Sequence, residues 1–326
     1  MITLVTGATG LVGNNVVRLL LDRGHAVRVF GRNGSGAKPL GGLDVQHATG
    51  DICDLESLRR ACQGVNRVVH AAARVHIGWS GLDEQRAVNV EGTRNVALAA
   101  RETGARLVHV STVDTVGRGS RACPADEETP LGQHVDCPYV VTKREAENVV
   151  LGLVSDGLDA VVVNPAFMLG PWDWKPSSGR MLLAVGRGRG LVAPPGGNDF
   201  CDVRDVAAGI LQAADRGVTG RRYILGGEPL SYFEAWTLFA EITGKRPPFR
   251  IMRVPVLRTL GAFGSLWGRL TGREPDLNTA TAAISMMEHH FSSARATAEL
   301  DYRPRSAREA TRAAWDWFLQ YGYAAR

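Results

Sequence analysis

Five cysteines in 326 residues include no Cys-x-x-Cys pair and leave an odd one over. That usage excludes a disulfide framework and a thiolate zinc site, and points to a reducing compartment. No stretch reaches the ~18 consecutive apolar residues of a membrane-spanning helix. The chain enters a strand-like segment, "MITLVTGATG", without the basic and apolar run of a secretory leader, so a cytoplasmic protein is expected. Charge of one sign is also scarce. The balance is +5, from 38 Lys and Arg against 33 Asp and Glu, and the arginines are scattered. This reads as a basic solvated surface compatible with phosphate-bearing ligands, not as a nucleic-acid patch.

Glycine is abundant, with 38 residues clustered at turns, and the apolar share of 44% is that of a globular protein. The first half alternates β-branched runs (2–5, 26–30, 44–50, 67–73, 106–112, 159–166) with helical spacing (11–24, 55–64, 89–104, 139–156). A polar loop is expected over 31–42. Such alternation predicts βαβ units, hence an α/β fold with a doubly wound parallel sheet. The expected division is a dinucleotide-binding domain over 1–166, to which 199–226 returns, and a mainly substrate-binding lobe over 167–326. Helical stretches at 231–244, 279–289 and 306–321 have no evident strand partners there. Residues 256–274 form an amphipathic stretch, read as a lid over an apolar pocket in preference to a membrane-surface helix.

"TGATGLVG" puts Gly7, Gly10 and Gly13 between the first strand and the first helix. Gly7 suits a tight turn, Gly10 the approach of a pyrophosphate, and Gly13 close helix–strand packing, with the helix N-terminus facing the anion. At the end of the second strand an NAD site usually carries an acid. Here the chain reads Gly31-Arg32, which favours NADP(H), with NAD as the alternative. Asp51 offers an acceptor for an adenine amino group, and the Ile52 amide a contact to the ring. "PYVVTK" places Tyr139 and Lys143 on one helix face, and Thr112 ends the fifth strand.

TGxxGxxG, Asp51-Ile52, "HAAA", "NVEGTRN", "VST" and YxxxK, in this order, closely resemble the extended short-chain dehydrogenases/reductases of the epimerase/dehydratase group, over about residues 1–230. The later segments look most like hopanoid-associated sugar epimerases and dihydroflavonol 4-reductase-like proteins. The resemblance implies Tyr139 as general acid/base, Lys143 on the nicotinamide ribose and Thr112 on the reacting oxygen. A nearby Lys143 ammonium is expected to favour the Tyr139 phenolate. The resemblance also implies cofactor contacts from Thr9, Leu11, Val12, Ala71, Ala72, Ala73, Asn89 and Pro165; Asn89 alternatively reads as a helix N-cap.

Asp114 reads as a second base or as a solvated strand-end carboxylate. Asn164 reads as a substrate contact or as part of a strand-ending turn. Arg180 and Arg222 are candidates for a diphosphate, and His76 and His134 for bystanders at the rim. Asp202 and Arg204 depart from the family's lobe junction. Two substrates compete, a nucleotide sugar and an apolar ketone or aldehyde; a dinucleotide-sensing regulator is the non-enzymatic alternative. A homodimer through helices near 89–103 and 139–155 is the implied assembly.

Overall fold

In the computed structural model, which describes residues 1–34, 38–132 and 134–325, the first half builds six strands. These are β1 (Ile2–Thr6), β2 (Ala26–Gly31), β3 (Gln46–Thr49), β4 (Arg67–His70), β5 (Arg106–Val110) and β6 (Ala160–Pro165). Then come β7 (Phe167–Leu169), β8 (Val192–Ala193) and β9 (Gly197–Asp202), before β10 (Arg222–Leu225) pairs with β6; β11 (Glu228–Ser231), β12 (Arg250–Ile251) and β13 (Glu288–His289) follow. The central sheet is parallel throughout, in the order β3-β2-β1-β4-β5-β6-β10. This is the expected doubly wound sheet. Its order reverses between β1 and β4, which opens a crevice at their carboxyl ends.

Helices α1 (Leu11–Asp22), α2 (Leu55–Cys62), α3 (Leu82–Arg86), α4 (Gly92–Thr103) and α5 (Pro138–Ser155) connect the strands. The rest are α6 (Gly179–Gly186), α7 (Val203–Arg216), α8 (Tyr232–Thr243), α9 (Val254–Thr271), α10 (Thr279–Ser285), α11 (Ala294–Leu300) and α12 (Ala307–Gln320). Successive strand residues serve two cores. Val5, Val69, Val108 and Val161 pack with α1, α7 and α11, while Leu4, Val68, Leu107 and Val162 pack with α2, α4 and α5. Burial on both faces explains why these strands read as continuous apolar runs instead of alternating.

The structure corrects three expectations. The helix expected over 89–104 begins at Leu82, and a π-helical turn (Ala87–Glu91) links α3 to α4, so Asn89 lies inside a helix and is not its N-cap. The late helices do have strand partners: β7, β9, β11 and β13 form a second sheet, and β8 pairs with β12. Phe200 on β9 packs in one core with Phe239, Trp317 and Phe318. The stretch 279–289 is helical only as far as Ser285, and Glu288–His289 joins that sheet. These pairings are two to four residues long and join segments far apart in sequence, so no local period announces them. Finally, α9 forms, but Leu260, Phe263, Leu266, Trp267 and Leu270 on it are exposed and close over nothing. Residues 35–37 of the expected polar loop lie outside the described residues.

Gly13 decides how closely α1 approaches β1. A β-carbon there would lie 2.3 Å from the Gly7 carbonyl oxygen, both of them backbone-held. Gly13→Ala is therefore expected to destabilise by about 1–3 kcal/mol, read as a lower thermal midpoint. Gly10→Ala, whose added carbon comes no closer than 3.4 Å to Gly7, should melt like the parent protein.

Candidate active site

The turn after β1 is built for an anion. Gly7 has φ +70° and sits where a β-carbon would come within 2.6 Å of the Ala71–Ala72 backbone, so only glycine brings the ends of β1 and β4 together. Gly10 caps α1 with no side-chain bond, and the first turn of that helix carries no acid. Its N–H groups are left to a ligand. A cleft of about 880 Å³ opens here, lined by Gly7, Thr9, Gly10, Arg32, Asp51, Ile52 and Ala71–Ala73 among others. Lys175 also lines it. Its loop is pinned to α1 by the Asn15 amide donating to the Pro171 carbonyl (2.9 Å) and by Arg18 stacked 3.3 Å over Trp172. No sequence signal marked Lys175, because the contact crosses some 160 residues. Three positions expected to touch the cofactor do not line this cleft: Leu11 and Val12 are half-buried in the first turn of α1, and Pro165 is buried at the end of β6.

The loops after β3 and β4 are wired together through "NVEGTRN". The Asn89 amide brackets Arg74, accepting from its N–H (2.8 Å) and donating to its carbonyl (3.1 Å), and also donates to the Thr142 hydroxyl on α5 (3.0 Å). Thr93 reaches the ring of His70 (2.9 Å), whose other nitrogen meets the Thr6 hydroxyl (2.7 Å). Burial holds that imidazole near pKa 3, with the Lys143 charge adding to the shift, so it stays neutral. Gly92 makes room for the Ile52 side chain and Asn95 donates to the Ile52 carbonyl (3.1 Å). One oxygen of Asp51 accepts from the Cys53 N–H (2.9 Å). The motif thus clamps the loops after β3 and β4 onto α4 and α5. Within it, Asn89 is a positioning residue.

Tyr139, Lys143 and Glu147 lie at i, i+4 and i+8 on one face of α5. Lys143 is buried, and its ammonium donates to the Val110 carbonyl at the end of β5 (2.8 Å). Burial lowers its pKa to about 8, against the pull of the Glu147 carboxylate. The Tyr139 phenol is pushed upward, first by burial and then by the Asp114 carboxylate, while its hydrogen bond with Thr112 opposes both. The lowering expected from Lys143 is not found: burial dominates, and the ammonium donates to a backbone carbonyl instead.

Glu147 was not marked in the sequence, although its i+8 spacing from Tyr139 is a usable signal. Its Oε2 accepts from Ser111 (2.7 Å), Thr115 (2.8 Å) and Asn164 (3.1 Å), and its Oε1 from Arg222. Asp114 accepts from the Thr112 hydroxyl (3.0 Å) and is three-quarters buried, so it is no solvated strand-end carboxylate. His289 stands 3.8 Å from it, with a buried Nε2 that has no partner among the described residues.

Several candidates lie elsewhere. Asn164 is fully buried, donating to the Thr112 carbonyl, Thr115 and Glu147, so it faces the network and not the cleft. Arg222 is bound to Glu147, and Arg180 pairs with Asp276 on the surface (2.7 Å). Both arginines thus have carboxylate partners. His76 bonds Glu274 (3.1 Å), and His134 lies close enough to Asp114 and His289 to act on the latter's charge. Asp202 caps α7 and holds Arg204, which makes both structural.

The sequence profile described as the NAD dependent epimerase/dehydratase family matches residues 3–226. A sterol demethylase protein B of Methylococcus capsulatus is 36% identical over 326 residues, covering 99% of both chains. A putative dihydroflavonol 4-reductase of Synechocystis is 33% identical over 98% of this chain and 95% of that protein. The crystal structure of a nucleoside-diphosphate-sugar epimerase from Pseudomonas aeruginosa superposes with a TM-score of 0.82 over 100% of this chain and 99% of that one, at 24% identity, a likeness of fold. The chain belongs to the NAD dependent epimerase/dehydratase family and is an NAD(P)-dependent oxidoreductase of the extended short-chain dehydrogenase type.

Proposed function

We propose that the protein reduces an apolar ketone, or oxidises the matching secondary alcohol, with NADP(H). The observation that carries this reading is the surrounding of Tyr139, which packs against an apolar cluster of Cys137, Val140 and Ala280 that Ile77, Val135 and Ile284 also join. A carbon skeleton is recognised there by apolar contact. A sugar diphosphate would want free cations, and Arg180 and Arg222 are both spent on carboxylates. The two relatives, named for a sterol and a dihydroflavonol, fall on the same side. A nucleotide-sugar substrate draws on likeness of fold alone, which hosts many chemistries.

The reading divides the chain into a dinucleotide-binding part, 1–166 with 199–226, and a substrate lobe from 167 onward. The glycine turn and Lys175 would hold phosphate, Asp51 and Ile52 the adenine, and Arg32 a 2′-phosphate. Bound at this cleft, the nicotinamide dinucleotide supplies or accepts the hydride. The chain's own part is proton and position. Tyr139, a phenol held protonated by burial, donates its O–H proton to the substrate oxygen during reduction. Thr112, itself held by Asp114, orients that oxygen. Lys143 spends one N–H on Val110 and keeps two for the nicotinamide ribose.

Four measurements test these roles. Tyr139→Phe should lower kcat by about 10²–10⁴-fold, the usual span for a positioned acid, and leave dinucleotide affinity unchanged; turnover near the parent value would remove the mechanism. Because the lysine cation is required and is lost as pH rises through about 8, kcat/KM should fall across that pH. In Glu147→Gln the support for the cation is gone, so the fall should move to lower pH. Arg32→Gln should weaken NADPH binding by roughly tenfold or more, the scale of a charge-assisted bond, and leave NADH as it was. The substrate class is tested by turnover of hydroxysteroids and alkyl ketones against UDP-sugars. A purified protein that holds NAD through dialysis and interconverts UDP-sugars without net redox would overturn the reading.

A further inference from the structure

Helix α9 turns three glycines toward the protein and several of its large apolar residues outward. Gly261, Gly264 and Gly268 face the chain that follows: added β-carbons would lie 2.8 Å from the Ala282 Cβ, 1.8 Å from the Leu277 carbonyl oxygen and 3.0 Å from the Glu274 Cα. This close approach uses up the glycine stripe and leaves Leu260, Phe263, Trp267 and Leu270, at i, i+3, i+7 and i+10, turned outward. Phe263, Trp267 and Leu270 are 65%, 63% and 75% exposed. A surface helix normally turns such a row inward, and scattered apolar residues need no account, but a contiguous row marks an interaction face.

The segment that carries this row holds charge of one sign, up to Glu274 and Asp276 that follow it. Between Lys245 and Arg273 the chain carries Lys245, Arg246, Arg250, Arg253, Arg258, Arg269 and Arg273, and no Asp or Glu. We propose that α9 docks the protein on the surface of a bilayer containing anionic lipids, with the apolar row at the acyl boundary and the arginines at the phosphates. Arg258 and Arg269 lie within the helix, and among the described residues no helix is long and apolar enough to cross a membrane, so the helix lies on the surface. A second copy of the chain is a poor occupant, since a two-fold contact would set the same cations against themselves.

Helix α9 rests on α10, whose Ala280 and Ile284 join Cys137, Val140 and Tyr139 in one apolar cluster. The docked face is therefore one helix away from the phenol, a short path for an apolar substrate held in the bilayer. Docking suits the substrate class proposed above but does not rest on it, because its test needs no turnover.

The experiment is co-sedimentation of the full chain with phosphatidylcholine vesicles, with and without phosphatidylglycerol. The expected result is pelleting with the anionic vesicles, at least tenfold less on phosphatidylcholine alone, and release by added salt. Arg258→Gln combined with Arg269→Gln should weaken binding by tenfold or more, each cation near such a surface contributing about fivefold. Phe263→Ser combined with Trp267→Ser should abolish it, with the parent's thermal midpoint kept because both side chains are exposed. A parent protein that stays in the supernatant at low salt overturns the proposal. So does a serine variant that pellets like the parent, or one whose mass in solution halves, which would assign the row to a second copy.

Discussion

The site hangs on one buried carboxylate. Glu147 is 1% exposed, and an isolated charge at that depth would cost several kcal/mol. It is tolerated because three donors meet one oxygen and Arg222 the other. Those donors come from the end of β5, the turn after it, the end of β6 and the start of β10. Satisfying this carboxylate therefore fixes the carboxyl ends of β5 and β6 and the amino end of β10 against α5. It also leaves a negative charge one helical turn below Lys143, without which burial would drive the ammonium further toward neutrality.

A second constraint joins the two ends of the crevice. Asn89 sits in a π-helical turn, where one extra residue per turn aims its amide at both edges of Arg74 and at Thr142. The loop leaving β4 is thereby locked to the helix that carries Tyr139. Gly7 closes the same loop from the other side, since any β-carbon there would strike Ala71. Backbone position at the crevice is thus set by one amide and one missing side chain, and both act at the strand-order reversal where doubly wound sheets take ligands.

The C-terminal part follows a different logic. Its short strands and aromatic cluster, with Trp174 edge-on to Trp317 at 5.0 Å between ring centres, make a second core. From the second sheet β13 brings His289 to Asp114, and α10 brings Ala280 and Ile284 to the apolar cluster that Tyr139 joins. Part of the phenol's surroundings, Ala280 and Ile284, is therefore supplied some 140 positions later in the chain.

Much was legible in the order of residues. The βαβ alternation, the glycine turn, and the pairing of Tyr139 with Lys143 depend on contacts within a few positions or on the burial of both sheet faces, and such constraints leave a local period. The environment of those residues was not legible. Arg222 and Asn164, candidates for a ligand by type, were claimed by Glu147 because a buried charge takes every donor in reach. The direction in which Tyr139 titrates was set by burial, which no spacing encodes. On α9 the sequence determined an amphipathic helix; the tertiary structure decided which face is free, because glycines can pack against backbone where leucine and tryptophan cannot.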